Sequence, residues 1–528
     1  MIRRYLSPLV LIISILATRP VFSDSGTMNI LVYPFKNTGD KKYSWIAAGM
    51  TDTVISDLNT LTGVHVISDR DRRRVARELE LGMTGLLREE TIVKAGKMTG
   101  ANIIFTGSYL IWDNRIRVHA KLITVETGEI FRSTKLDGTL EKIFELQDSI
   151  TISLMTEAEK IHIADVKPVV FGGKDRERIS RRSKPSFTAF RWYSRGLEVH
   201  ETNPQKALQY YLEALRISPD YFDALNRTGW IYYDISQHQK SIGYYRRAEE
   251  VLRKQRLQDS NNFATVMNGL GAVYQLQGAF DKSLQHYFRA EEIMENLKMQ
   301  QTTDYAATTG NIGMVYRLRG EYQRALQYYF KALAIYEKLN LQDTIEAASV
   351  LNNIGMAYKM MKKNDTALTY FFRAKKIEER SGHQNTKHFA TVLNNIATAY
   401  DDKGEPDTAF PYYQQNMKIM KELGLTKTYE YAATMNNVSS YYHSRGDQQK
   451  AMEYALLSKN IMEGLNLQNT SEYAITLWWI GIYHHKLKRS CQGIPYIEKA
   501  IRILRSNRYP GINAARKYLE ILKRACGR

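Results

Sequence analysis

One pattern returns every 42 residues between Phe222 and about Cys526, and it restricts the chain to a narrow set of folds. It runs from Ala264 to Tyr274, then Ala306 to Tyr316, Ala348 to Tyr358, Ala390 to Tyr400, Ala432 to Tyr442 and Ala474 to His484, with an earlier copy from Phe222 to Tyr232. A unit of that length has too little apolar surface to bury by itself, so neighbouring units must stack. The array reads as an all-α solenoid.

Within a copy, Met267, Leu270, Gly271 and Tyr274 recur at three- and four-residue spacing, which places them on one helix face. A turn follows at Gly278, Gly320, Gly404 and Gly446, with Lys362 and Lys488 in two copies. A second helix then carries small residues two turns apart, such as Ala325 and Ala332, with aromatics between them. Small residues at that spacing let two helices approach closely, and the aromatics fill the space against the next copy.

This order of glycine, tyrosine, small, aromatic and small positions resembles the tetratricopeptide repeat. A shorter opening copy matches it at Gly196, Ala207, Tyr211, Ala214 and Pro219, and the later copies resemble the extended 42-residue form of kinesin light chains. The resemblance covers residues 187–528, ending in a carboxyl-terminal cap.

At 528 residues, two or more domains are expected. A formal charge of +19 admits an anionic partner, but the cations are spread along helices without a basic-aromatic reader motif. Nucleic acid is therefore not expected as a partner. Arg3 and Arg4 precede the apolar run Leu6 to Ala17, and Val21-Phe22-Ser23 offers a cleavage site. Residues 1–23 thus read as a secretory signal, with the mature chain starting near Asp24 outside the cytoplasm. In an exported chain Cys491 and Cys526 either pair or stand as separate thiols, and sequence leaves both open.

Residues 24–162 change pattern to short apolar runs between helical stretches, which implies an α/β domain with a mixed sheet. Strands are expected at Ile30 to Phe35, Val64 to Ile67, Asn102 to Gly107 (ended by its glycine), Ile116 to Leu122 and Glu129 to Lys135. Helices are expected after Ile46, from Arg70 to Leu81, from Glu89 to Met98 and from about Leu140 to Ile161. Ile30-Leu-Val-Tyr-Pro-Phe35, Gly49-Met-Thr-Asp52, Val66-Ile-Ser-Asp-Arg70, Gly100 to Ser108 and Arg115 to Glu129 resemble the bacterial envelope group of CsgG, FlgO and the amino-terminal domain of TolB. That resemblance implies a periplasmic or outer-membrane-associated assembly role, and with it self-association through the α/β domain. The domain has no room for the membrane hairpins of a curli channel, so a pore is not expected. Residues 163–186, rich in glycine and arginine, read as a flexible basic linker, with contact to anionic lipid as the alternative.

No phosphate-binding loop, dinucleotide fingerprint, zinc motif or nucleophile elbow occurs. The expectation is a protein that is not an enzyme and needs no cofactor or metal. The candidate site is the first helix of each copy, where Asn268, Asn311, Asn352, Asn353, Asn394, Asn395, Asn436 and Asn437 recur. On the tetratricopeptide pattern these positions face a concave groove, where amides suit the backbone of an extended peptide. The resemblance to kinesin light chains implies that use; bonding to a neighbouring helix is the other reading. Arg317 and Lys359, one turn on, add positive charge, while Trp478 and Trp479 replace the asparagines in the last copy. The expected function is an exported envelope scaffold holding a protein or peptide partner in this groove. The alternative is a subunit of an oligomeric envelope secretion or assembly complex.

Overall fold

The computed structural model describes residues 27–79, 89–158, 160 and 170–527. The expected signal segment lies outside them. The chain divides into two compact units, one reaching to Ile312 and including Ala334–Leu339, the other made of Gly313–Leu333 and Asn340–Arg528.

The first unit opens with β1 (Met28–Val32), β2 (Lys36–Asn37), α1 (Ile46–Leu58), β3 (Val64–Val66), α2 (Asp69–Glu78) and α3 (Glu89–Thr99). It continues with β4 (Ile103–Trp112), β5 (Arg115–Thr124), β6 (Ile130–Thr139) and α4 (Ile143–Ala158). The sheet order is β3-β1-β4-β5-β6, with β2 paired to β4. β1 lies parallel to β3 and β4, and β4, β5 and β6 are antiparallel, so the sheet is mixed. Alternation along β1 sends Ile30 and Val32 into a core with Met50 and Val54 of α1 and Ile150 of α4. It sends Leu31 and Tyr33 to the opposite face, against Val75 of α2 and Ile92 of α3.

Gly107 does not end its strand. β4 runs on to Trp112, and a Cβ at Gly107 would meet the His119 carbonyl at 2.4 Å and the Phe35 ring at 2.6 Å. The glycine is needed for close approach inside the sheet.

The expected flexible linker also needs correction where it is described. Residues 173–181 form α5 (Gly173–Arg181), with Ile179 fully buried and Phe171 packed in the same core. Arg178 donates to the Thr60 carbonyl at 2.8 Å and pairs with Asp259. Composition signalled a solvated charge run, but Arg178 reaches the buried Thr60 carbonyl as well as the exposed Asp259 carboxylate.

Helical pairs follow directly: α6 (Phe187–Val199) with α7 (Pro204–Ile217), α8 (Phe222–Asp234) with α9 (His238–Lys254), and α10 (Asn261–Leu276) with α11 (Phe280–Asn296). α12 (Thr303–Leu318) begins in the first unit and ends in the second. The α/β layer packs on these pairs: a Cβ at Gly49 of α1 would fall 1.9 Å from Ser194 Oγ and 2.6 Å from the Phe190 ring of α6.

The second unit holds most of α13 (Tyr322–Lys338), then α14 (Ile345–Met360), α15 (Asn364–Arg380), α16 (Lys387–Asp402), α17 (Pro406–Glu422) and α18 (Tyr429–Ser444). It closes with α19 (Gln448–Gly464), α20 (Ser471–Lys486), α21 (Ser490–Ser506) and α22 (Ile512–Ala525).

The repeat spacing has a local cause at each turn. Gly278, Gly320, Gly404 and Gly446 hold φ between 71° and 80°, the left-handed region, and Lys362 and Lys488 are held there at 59°. The first helix starts on a hydroxyl cap: Ser260 and Thr302 in the first unit, and Thr344, Thr386, Thr428 and Thr470 in the second, accept from a backbone N–H three residues on. Gly271 faces the Tyr287 ring and Gly355 the Phe371 ring, each closer than a side chain would allow.

Cys491 and Cys526 form a disulfide with Cα atoms 5.1 Å apart, joining the start of α21 to the residue after α22.

Candidate functional site

The paired asparagine positions on the first helix of each copy have different surroundings. In the first unit Asn268 donates to Thr308 Oγ1 on the next first helix, α12, at 2.9 Å. In the second unit Asn436 does the same to Thr476 at 2.9 Å, and Asn394 accepts from Thr434 at 3.3 Å. Asn352 accepts from Asn395 at 2.9 Å, and both are buried. The leading asparagine of a pair is thus a rung between successive first helices, 40 to 43 residues apart in sequence.

The following position differs. Asn311 in the first unit, and Asn353 and Asn437 in the second, are half-buried and have no side-chain hydrogen bond among the described residues. Asn395 is the exception, its amide nitrogen spent on Asn352. The eight candidate asparagines therefore divide: four bridge as leading rungs, one trailing asparagine joins them, and three keep their amides. A single sequence cannot separate these roles, because the bridging partners Thr308, Thr434 and Thr476 lie a full repeat away.

The same register contains Arg227 in the Phe222-to-Tyr232 copy, two periods before Asn311. Arg227 donates to Asp52 of α1 at 2.6 Å, and Tyr193 donates to the other oxygen of the same carboxylate. Burial and the Asp52 charge set the Arg227 environment, with the carboxylate favouring the charged guanidinium and holding its pKa above the ordinary value. In this copy the position is filled from within the chain by the α/β layer.

A second buried cation lies close by. Arg182 bridges Asp57 of α1 and Asp223 of α8, the latter at 2.8 Å, and Ser56 donates to Asp223 at 2.6 Å. Two carboxylates share one guanidinium in a dry setting; burial pushes Asp57 up to about 7, with Arg182 opposing the shift. Asn262 of α10 donates to the Ser56 carbonyl at 2.9 Å, and Thr303 of α12 donates to Asp71 at 2.7 Å. His65 lies 4.0 Å from Asp304, its pKa lowered by burial.

Arg317 and Lys359, expected to add positive charge to the groove, differ in their surroundings. The buried Tyr329 hydroxyl has its pKa raised by burial and partly drawn back by the charge of Arg317, and among the described residues neither that hydroxyl nor Arg317 Nε has a hydrogen-bond partner. Lys359 pairs with Asp402 at 3.2 Å. Asp401 accepts from Tyr413 at 2.6 Å and is raised by burial. At the last copy Trp478 packs into the cap core, whereas Trp479 remains 37% exposed beside the His443 ring, centroids 5.3 Å apart.

Among the described residues no group of three or more His, Cys, Asp and Glu is arranged to hold a metal. No described helix is long and apolar enough to cross a membrane.

Residues 262–338 and 388–463 match the family model for the tetratricopeptide repeat. These segments are tetratricopeptide repeats. The tetratricopeptide match includes six of the eight candidate asparagines and Arg317, and leaves Asn352, Asn353 and Lys359 to copies identified by the 42-residue spacing.

A curated Rhizobium meliloti (strain 1021) protein named "Putative adenylate cyclase 3" is 31% identical over 128 residues, 24% of this chain. The chain spans 20% of that relative's length, and the named activity is that protein's own. The apo form of RapI is similar at 16% identity and TM-score 0.42, covering 53% of this chain and 98% of RapI. A Rap protein complexed with Competence and Sporulation Factor shows 17% identity and TM-score 0.41, covering 61% and 86%. A Podosopora anserina structure described as "putative kinesin light chain nearly identical TPR-like repeats" shows 14% and 0.34, covering 39% and 97%.

Proposed function

We propose that this chain is a non-catalytic scaffold, exported to the cell envelope, that holds an extended protein segment against the first helices of its tetratricopeptide repeats. The observation that carries the reading is the division within the asparagine pairs. The leading residue stabilises the stack, and the trailing Asn353 and Asn437 of the second unit keep two donors and an acceptor each beside it. An amide that is neither buried nor bonded in the free protein can meet a peptide backbone without first breaking an internal bond. Affinity then comes from backbone pairing, and specificity from side chains around it such as Trp479 and His443.

Export rests on the charge, length and cleavage chemistry of residues 1–23. An export reporter fused after Ser23 tests it, and a cytoplasmic reporter would remove the envelope assignment. The binding reading is tested by capture from envelope extract with the full chain, run beside an Asn353→Ala/Asn437→Ala variant. Loss of a captured partner by the folded variant supports it; equal capture moves the binding surface away from these asparagines.

A further inference from the structure

The carboxyl-terminal segment carries about half of the chain's charge imbalance. Residues 486–528 contain twelve Lys and Arg against two Glu, a net +10 out of +19 for the whole chain. α21 and α22 form an antiparallel hairpin, tied at one end by Cys491 and Cys526. Toward its other end lie Arg502 and Arg505 of α21, Arg508 of the turn, and Arg516 and Lys517 of α22, and all five are exposed. None of the five is in an ion pair with a described residue; the hairpin's Glu498 faces Lys523 at 3.7 Å, and Glu520 is the single carboxylate of α22.

Five exposed cations toward one end of a hairpin, none with a carboxylate partner among the described residues, repel one another, so an anion that meets them relieves a cost. An apolar side chain lies among the positive ones. Ile521, 46% exposed, is one turn from Lys517 and from Arg524, so the outer face of α22 presents long aliphatic stems, charged heads and a bare isoleucine. The hairpin's tyrosines do not share that face: Tyr496, Tyr509 and Tyr518 are half-buried and pack against the cap core. A nucleic-acid strand read by stacking needs exposed rings, which this face lacks. A flat layer of phosphate headgroups needs only dispersed cations and a shallow apolar contact.

We propose that the α21–α22 hairpin is a docking surface for an anionic phospholipid bilayer. It is independent of the groove reading, and it holds the scaffold at a membrane face without a spanning segment.

The test is co-sedimentation of the full chain with vesicles of phosphatidylcholine alone and with 30 mol% phosphatidylglycerol added, at low and at high salt. A variant carrying R502Q, R505Q, R508Q, R516Q and K517Q is compared with a charge-matched control, K206Q, K240Q, K282Q, K338Q and K418Q. Circular dichroism checks that both fold. The expected result is binding to the anionic vesicles only, at least tenfold weaker in the hairpin variant, less than threefold weaker in the control, and lost at high salt. Equal weakening of both variants, binding to phosphatidylcholine alone, or preferential capture of a duplex oligonucleotide added as competitor would each overturn it.

Discussion

The Arg227 guanidinium donates to the Asp52 carboxylate at 2.6 Å, joining the second helical pair to the first helix of the α/β layer. Both side chains are less than a fifth exposed, and Tyr193 donates to the same carboxylate. The pair places an α/β residue at the register that becomes Asn311, Asn353 and Asn437 in later copies. Removing one partner leaves the other charge buried and unmatched. Arg227→Ala is expected to lower stability by about 3 kcal/mol, and Asp52→Asn/Arg227→Met together by clearly less, measured by urea unfolding.

A pH dependence follows from the two carboxylates around Arg182. Burial raises Asp57 from its ordinary range to about 7, so the folded state holds a proton that the unfolded chain has released. That contribution is complete below the unfolded value near 4 and is lost as pH rises through about 7. Wild type is therefore expected to lose melting temperature between pH 5 and pH 7.5 by roughly 2–4 °C more than Asp57→Asn, read by thermal scans. A wild type that gains stability over that window relative to the variant contradicts the assignment.

The disulfide closes a loop spanning 35 residues and fastens α22 to the end of the stack. Cys491→Ser/Cys526→Ser is expected to lower the stability of this region by about 2–4 kcal/mol. Hydrogen exchange should show the loss confined to α21 and α22, with the amides of α14 to α16 unchanged.

The two residues of one asparagine pair are expected to behave differently. Asn352→Ala removes a buried rung and leaves Asn395 without its acceptor, for a cost of about 1–2 kcal/mol. Asn353→Ala, which breaks no bond, is expected to change stability by less than about 0.5 kcal/mol. Denaturant midpoints of the two single variants check this directly.

The helical repeats were legible because one spacing places glycine, tyrosine and small residues in register, and a repeated unit multiplies a weak local signal. A second periodic signal lies in the same sequence: the hydroxyl caps Ser260, Thr302, Thr344, Thr386, Thr428 and Thr470, also 42 apart, mark each first helix where the chain starts it. A left-handed residue between copies is harder to see, because Arg256, Lys298, Asn340, Gly382, Gly424, Asn466 and Arg508 share a conformation but not a side chain. The mixed sheet was readable from alternation along β5, but Gly107 was misread as a stop because its partner, the His119 carbonyl, comes from the next strand. The arginines of residues 173–186 looked like a solvated tether for the same reason. Asp57, Asp223 and Asp259, which bind them, lie tens to more than a hundred residues away, and one-dimensional composition contains no trace of that pairing.

The most direct test of the scaffold reading is the affinity of a captured partner segment for the full chain and for Asn353→Ala/Asn437→Ala, titrated calorimetrically with melting temperatures recorded in parallel. The account predicts at least tenfold weaker binding at an unchanged melting temperature. An unchanged Kd for the double variant would contradict it and move the binding surface away from these repeats.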